Sequence, residues 1–219
     1  MTHFNDLIDG YHRFRTSDLR RQHERWKELR QKQEPKVMIV ACSDSRVEPA
    51  QIFDTLPGEV FVVRNVAALV PPFEDGGGRH GVSAALEFAV TKLGVEEIVV
   101  LGRGACGGCA AALSNVFKDA EPGEGGFVRD WVSILDDARE RIKAQYGDGP
   151  EAAREMEYEA VRVSLANLET FPFIQKAKAE NAIAMRGAYF SIMDGELHVL
   201  GDDNKFHFPQ PRAVETSVL

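Results

Sequence analysis

Residues 99–113 read VVLGRGACGGCAAAL, the end of an apolar strand, a glycine-rich turn and the opening of a helix. Cys106 follows that strand across the turn GRGA, and Cys42 directly follows another apolar strand in KVMIVACSDSRVEP, residues 36–49. In open parallel sheets ligands collect beyond the carboxyl ends of the strands, so two cysteines at strand exits can converge on one point. Two thiolates suit zinc, and a catalytic zinc asks for a third protein ligand and an open place for water. Each cysteine alone reads as a small buried residue; the matched positions favour a shared site. Asp44 and Arg46 stand two and four residues after Cys42. An arginine this close keeps an aspartate ionised and its oxygens aimed. Beside a metal-bound water such an acid orients the nucleophile, or it binds the metal itself if it swings away. An ordinary turn-stabilising pair is the plain alternative. Cys106-Gly107-Gly108-Cys109 is also a C-x-x-C at a helix start, where the dipole lowers a thiol pKa. A thiol redox protein using Cys106 and Cys109 is therefore a second chemistry, although Cys109 also reads as a small helix-face residue.

The elements that must carry these residues follow from hydrophobic pattern. Apolar strands at 36–41, 59–64 and 97–101 alternate with helices at 48–54, 82–93 and 106–117, and the strands lack a polar face. This is the signature of a parallel sheet covered on both sides. Pro71, Pro72 and the glycines at 76–78 make a long loop. Residues 127–146 and 151–168 read as two helices, and residues 182–191 and 196–200 as a hairpin turned at Met193-Asp194-Gly195. The tail from Asp202 reads as irregular. Ahead of the sheet, Phe4, Leu7, Ile8, Tyr11 and Phe14 recur at helical spacing, and Thr16, Ser17 and Asp18 offer caps for a second helix through Leu29, stopped by Pro35. The expected fold is α/β, a mostly parallel central sheet flanked by helices. It carries an N-terminal helical arm, residues 1–34, on a main domain, residues 35–219, that ends in a hairpin strand addition.

Composition narrows the classes. The chain has 219 residues, 44% of them hydrophobic and 27% charged, enough for a full core. A formal net charge of −8 repels phosphate backbones and argues against nucleic acid as a partner. The longest apolar runs are a few residues, far short of a membrane span. The first residues lack the basic start and apolar core of a secretory signal, so the cytoplasm is the expected location. Three cysteines do not suggest a disulfide framework.

ACSDSRVEP, then FVVRNVAALVPP, then GRGACGG, in this order and spacing, resemble the β-class carbonic anhydrases, nearest their plant-like branch. The resemblance runs from about Gln33 to the hairpin near Leu200. It implies reversible hydration of carbon dioxide to bicarbonate on Zn2+ held by Cys42, Cys106 and a histidine. It makes Asp44 and Arg46 the catalytic dyad, with Asp44 able to occupy the zinc in resting forms. Gln33 matches a glutamine that helps hold substrate. Phe61, Val66 and Phe88 fall on the apolar wall of the carbon dioxide pocket, and Gly107 offers a backbone N–H near the substrate. Many members carry tyrosine where Phe88 stands. Family subunits pair through exchanged N-terminal helices, so a homodimer or larger homo-oligomer is implied, and the aromatic stripe at 4–14 has a use.

The family motif reads Gly-His-x-x-Cys-Gly-Gly, and here the histidine is Arg103. A guanidinium stays protonated and has no lone pair to give. It removes a ligand and sets a positive charge beside a cation. The expected compensation is Asp44 binding zinc while Arg103 pairs outside the first shell, at the cost of an acid free to orient water. Impaired zinc binding and low hydratase turnover are expected. His80 is the one other histidine considered as a substitute ligand. A non-catalytic bicarbonate-binding or scaffold relative is the third class. Carbonyl sulfide and carbon disulfide remain neighbouring substrates.

Overall fold

The computed structural model describes residues 2–76 and 78–210; the far end of the tail lies outside them. Two compact units divide after Glu34. The first holds α1 (Phe4–Thr16), α2 (Asp18–Arg21) and α3 (His23–Leu29). The expected second helix is thus broken at Gln22, with a non-helical ψ of 27°. Phe14 meets Trp26 edge-on at 5.8 Å, while Phe4, Leu7 and Tyr11 of α1 are exposed.

The second unit is built on a six-stranded sheet in the order β2-β1-β3-β4-β5-β6. Its strands are β1 (Val37–Cys42), β2 (Val60–Asn65), β3 (Glu97–Arg103), β4 (Ala184–Phe190), β5 (Leu197–Leu200) and β6 (Phe206–His207). The first four are parallel, and β5 and β6 add on antiparallel. The fold is therefore the expected α/β type with a hairpin addition. Between the strands run α4 (Pro49–Ile52), α5 (Gly81–Phe88), α6 (Gly107–Ser114), α7 (Gly126–Val132), α8 (Asp136–Tyr146), α9 (Pro150–Leu168) and α10 (Pro172–Ala179). On one sheet face Met38, Val40, Ile98 and Val100 are buried against Leu86, Val161, Leu168 and Ile174 from α5, α9 and α10. The alternate residues Ile39, Ala41 and Leu101 pack with Val47, Ile52 and Phe53. Each fully buried aliphatic side chain contributes roughly 1.5–3 kcal/mol.

Several boundaries differ from the pattern, each for a tertiary reason. β3 runs two residues past its apolar run because β4 pairs with it as far as Arg103↔Phe190. The expected helix at 127–146 is interrupted by a tighter turn at Ser133–Leu135. The expected helix at 82–93 ends in a wide turn at Ala89–Leu93, closed by Gly94 at φ 66°. Helix α10 lies outside the elements that the pattern predicts, and β6 lies in the tail expected to be irregular. Gly102 lets α9 lie directly on β3: a Cβ there would meet Val161 Cγ2 at 2.5 Å.

Candidate active site

Strands β1 and β3 are parallel neighbours with Ala41 opposite Leu101, so their exits open side by side. The β1 exit is pinned by Arg64, at the end of β2. Its Nε donates to Cys42 O at 3.0 Å, and Nη2 donates to Asp44 O at 2.8 Å and Val47 O at 2.7 Å. Nη1 pairs with Glu48 at 2.5 Å. The β3 exit turns through Ala105 at φ 52° into α6, whose N-cap is Cys106. The carboxylate of Glu157, on α9, accepts from Cys106 N–H and from the Tyr189 hydroxyl, both at 2.8 Å. Burial raises the Glu157 carboxyl pKa. Arg64, Glu157 and Tyr189 escaped sequence reasoning. Arg64 carried a signal, a charge closing an apolar strand; Glu157 and Tyr189 carried none, because only the fold brings α9 and β4 to residue 106.

Within this frame Cys42, Asp44, Arg46, Arg103 and Cys106 form one cluster. Cys42 and Cys106 are buried and free. The hydrogen bond in which the Cys42 thiol donates to Cys106, together with burial, pushes Cys42 up to about 12. Cys106, hydrogen-bonded first to Cys109, is also pushed up to about 12. Arg46 clamps Asp44 twice, Nε on Oδ1 and Nη2 on Oδ2, each at 2.9 Å, and its own backbone N–H adds a third bond at 2.9 Å. Those Arg46 bonds hold the Asp44 carboxyl well below the usual carboxylate range.

Arg103 joins this clamp. It is only 5% exposed, and its Nη2 lies 2.7 Å from Asp44 Oδ2. Nη1 donates to Gly104 O at 3.0 Å and Ala105 O at 2.5 Å, while Nε is buried without an acceptor. Asp44 is therefore held between two guanidiniums. Arg103 pairs with the very acid that was expected to replace the lost ligand.

The remaining candidates are spread more widely. Val66 sits against the start of α6, where a Cβ on Gly108 would meet Val66 Cγ1 at 2.7 Å. Gly107 is the first residue of α6, next to Cys106. Phe61 and Phe88 pack together with ring centroids 6.0 Å apart. Phe61 pairs with Met38, four residues before Cys42 in β1, which places it about 13 Å back along the sheet. One chain therefore does not bring Phe61 and Phe88 to the thiols. Gln33 lies exposed in the N-terminal unit. His80 lines a cleft of about 880 Å3 with Val66 and Trp131, and its nearest acid is Glu74 at 4.0 Å. Cys109 is buried on α6, one turn after Cys106.

An open, mostly parallel sheet with a thiol pair, a clamped acid and two guanidiniums at adjacent strand exits defines an α/β protein whose site lies at the carboxyl ends of two inner strands. Residues 37–197 match the carbonic anhydrase family model. A curated relative, β carbonic anhydrase 3 of Arabidopsis thaliana, is 36% identical over 191 residues, 86% of this chain and 73% of that protein. The solved β-carbonic anhydrase CcaA superposes with a TM-score of 0.88 at 28% identity, covering 96% of this chain and 93% of its own. One of two tetrameric β-carbonic anhydrases of Sordaria macrospora superposes at 0.77 with 27% identity, over 90% and 96% of the two chains. The chain belongs to the carbonic anhydrase family, in its β class.

β-Carbonic anhydrases are in general zinc enzymes, and zinc asks for three protein donors here. Among the described residues no group of three His, Cys, Asp or Glu side chains could hold a metal ion. Asp44 is engaged by two guanidiniums, and the position at which the resemblance expects a histidine carries a buried cation. The residues present do not fit zinc.

Proposed function

We propose that the chain acts on the carbon dioxide–bicarbonate pair at these strand exits, and that Arg103 makes it a weak hydratase. The observation that carries this reading is the buried Arg103 guanidinium, 2.7 Å from Asp44, within the cluster of Cys42, Arg46 and Cys106. Asp44 and Arg46 are its catalytic pair. The ionised carboxylate accepts a hydrogen bond from the attacking water and so fixes which lone pair faces the carbon, while Arg46 holds the carboxylate's angle. The Gly107 N–H is a donor for an oxygen that gains charge as bicarbonate forms. Gln33 supplies a polar contact to substrate, and Phe61, Val66 and Phe88 an apolar wall suited to a molecule without a dipole.

Phe61 and Phe88 stand too far from the thiols of their own chain to line that site, so the reading includes a homodimer or larger assembly in which they face the site of a second copy. The exposed stripe of α1 is the contact it would use. Among the described residues no helix is long and apolar enough to cross a membrane, and a cytoplasmic location is part of the proposal. Cys42, Asp44 and Cys106 are the ligand set that the resemblance implies for Zn2+. In this chain Arg103 holds Asp44 out of that set.

Stopped-flow hydration of carbon dioxide tests the reading. The chain should run little above the uncatalysed rate, and Arg103→His, which returns a donor, should gain about a hundredfold or more. A chain that already turns over as fast as its Arg103→His variant overturns it. A second reading, bicarbonate binding without turnover, is favoured by two guanidiniums facing a single carboxylate. Bicarbonate binding by calorimetry in a chain with no hydration rate would select it. The thiol redox reading loses ground because Cys106 is buried and its thiol is pushed up to about 12, the opposite of a reactive cysteine.

A further inference from the structure

The turn after β2 is built in a way that the proposed chemistry does not use. Ala67 and Ala68 are consecutive residues in the left-handed region, at φ 67° and φ 56°, and both are buried. A residue with a Cβ adopts that conformation only at a cost, so its surroundings must hold it there. We infer, resting on the reading of Val66 as substrate wall, that Trp131 and Asn65 are positioning residues: they hold this strained turn and so fix the apolar face that Val66 offers to carbon dioxide.

The turn bridges the two strand exits. On one side Asn65 O accepts from the N–H of Ser43, the residue after Cys42, at 2.8 Å. On the other the turn lies on the start of α6, so closely that a Cβ on Gly108 would meet Val66 Cγ1 at 2.7 Å and Ala67 Cβ at 2.9 Å. Asn65 closes the turn on itself: its Nδ2 donates to Leu69 O and its Oδ1 accepts from Leu69 N–H, both at 2.8 Å. Ser164 Oγ, on α9, reaches Ala68 O at 3.4 Å. These bonds fix the ends of the turn and leave Val66 between them. Trp131, on α7, supplies the hold on Val66: its Nε1 donates to Val66 O at 2.7 Å. Val66 is 40% exposed and lines the same cleft as Trp131, so packing does not enclose it. The hydrogen bond sets the Val66 carbonyl, and with it the direction of the side chain on the same residue.

A wall residue touches substrate alike before and during attack on its carbon. An error in its position therefore weakens ground-state and transition-state binding equally, which raises KM and leaves kcat. A residue that only supported the fold would instead lower the fraction of active chain, which lowers kcat and leaves KM.

The test pairs two measurements. Hydrogen exchange followed by mass spectrometry compares the unaltered chain with Trp131→Phe: residues 65–69 and 107–110 should exchange roughly tenfold faster in the variant, with β1 and β3 unchanged. In an Arg103→His background, Trp131→Phe should raise KM for carbon dioxide about tenfold and keep kcat within about twofold, and Asn65→Ala should act in the same direction. Added to Val66→Ala, Trp131→Phe should raise KM no further, because the side chain it acts through is already cut back. If Asn65→Ala fails to fold by circular dichroism, Trp131→Phe, which keeps an aromatic ring in the cleft wall, decides. Unchanged exchange, a loss confined to kcat, or full additivity with Val66→Ala each overturns the inference. Faster exchange in Trp131→Phe, together with an Arg103→His chain that hydrates no carbon dioxide, overturns the proposed function instead and leaves the hold on the turn standing.

Discussion

The exits of β1 and β3 lie beside each other and respond differently to their sequences. At the β1 exit the acid and its arginine meet as their spacing implies, on a loop whose carbonyls are tied down by Arg64. At the β3 exit the cysteine stands where it was expected, but Arg103 fills the space beside it and reaches across to Asp44 at 2.7 Å. A loop held by main-chain hydrogen bonds keeps its geometry with many side chains. A position that the resemblance places in a ligand shell does not, because one guanidinium there brings no lone pair and engages the acid next door.

The largest effect expected from separating the two exits comes from the first. In an Arg103→His background, Arg46→Ala should lower the hydration rate about a hundredfold, because Asp44 loses its clamp. A loss below threefold would reduce that pair to a turn-stabilising role. Arg64→Ala should come next: it strips three carbonyls of a charged donor and should cost roughly 3 kcal/mol in chemical denaturation. An unchanged midpoint would mean that the loop holds itself.

Glu157→Gln probes the support of the second exit and should cost about 1 kcal/mol near neutral pH, since the amide can still accept from one of the two donors. It also carries a pH sign. Burial raises the Glu157 carboxyl, so the folded state holds that proton more tightly than the unfolded one. That contribution is present below the unfolded pKa and is lost as pH rises through the folded pKa. The Gln variant should lack this slope, and an identical slope in both proteins would contradict it. Smallest of all, Phe88→Tyr, which adds one hydroxyl beside Phe61 and back along the sheet from the thiols of its own chain, should change hydration less than tenfold.

Much of this was legible in the chain. The apolar runs of β1 and β3 gave their own strands, and strand-end placement put Cys42 and Cys106 together before any coordinates did. The Asp44–Arg46 pair is local and followed from spacing. What was not legible is what tertiary contact decides. Ser133 and Gln22 interrupt patterns that look continuous in helical period. Glu157 and Tyr189 reach residue 106 only through the packing of α9 and β4. The partner of Arg103 was legible only as a need for an acid. Which acid followed from the alignment of the two exits, and it is the one that the resemblance assigns to the metal.

The central claim is that Arg103 alone separates this chain from a metal-loaded hydratase. Its most direct test is zinc per chain, measured by elemental analysis on the unaltered protein and Arg103→His prepared side by side in zinc-supplemented medium, with hydration rates on the same samples. The account predicts little zinc and little turnover in the first and close to one zinc with a restored rate in the second. One zinc per chain and a full rate in the unaltered protein would contradict it.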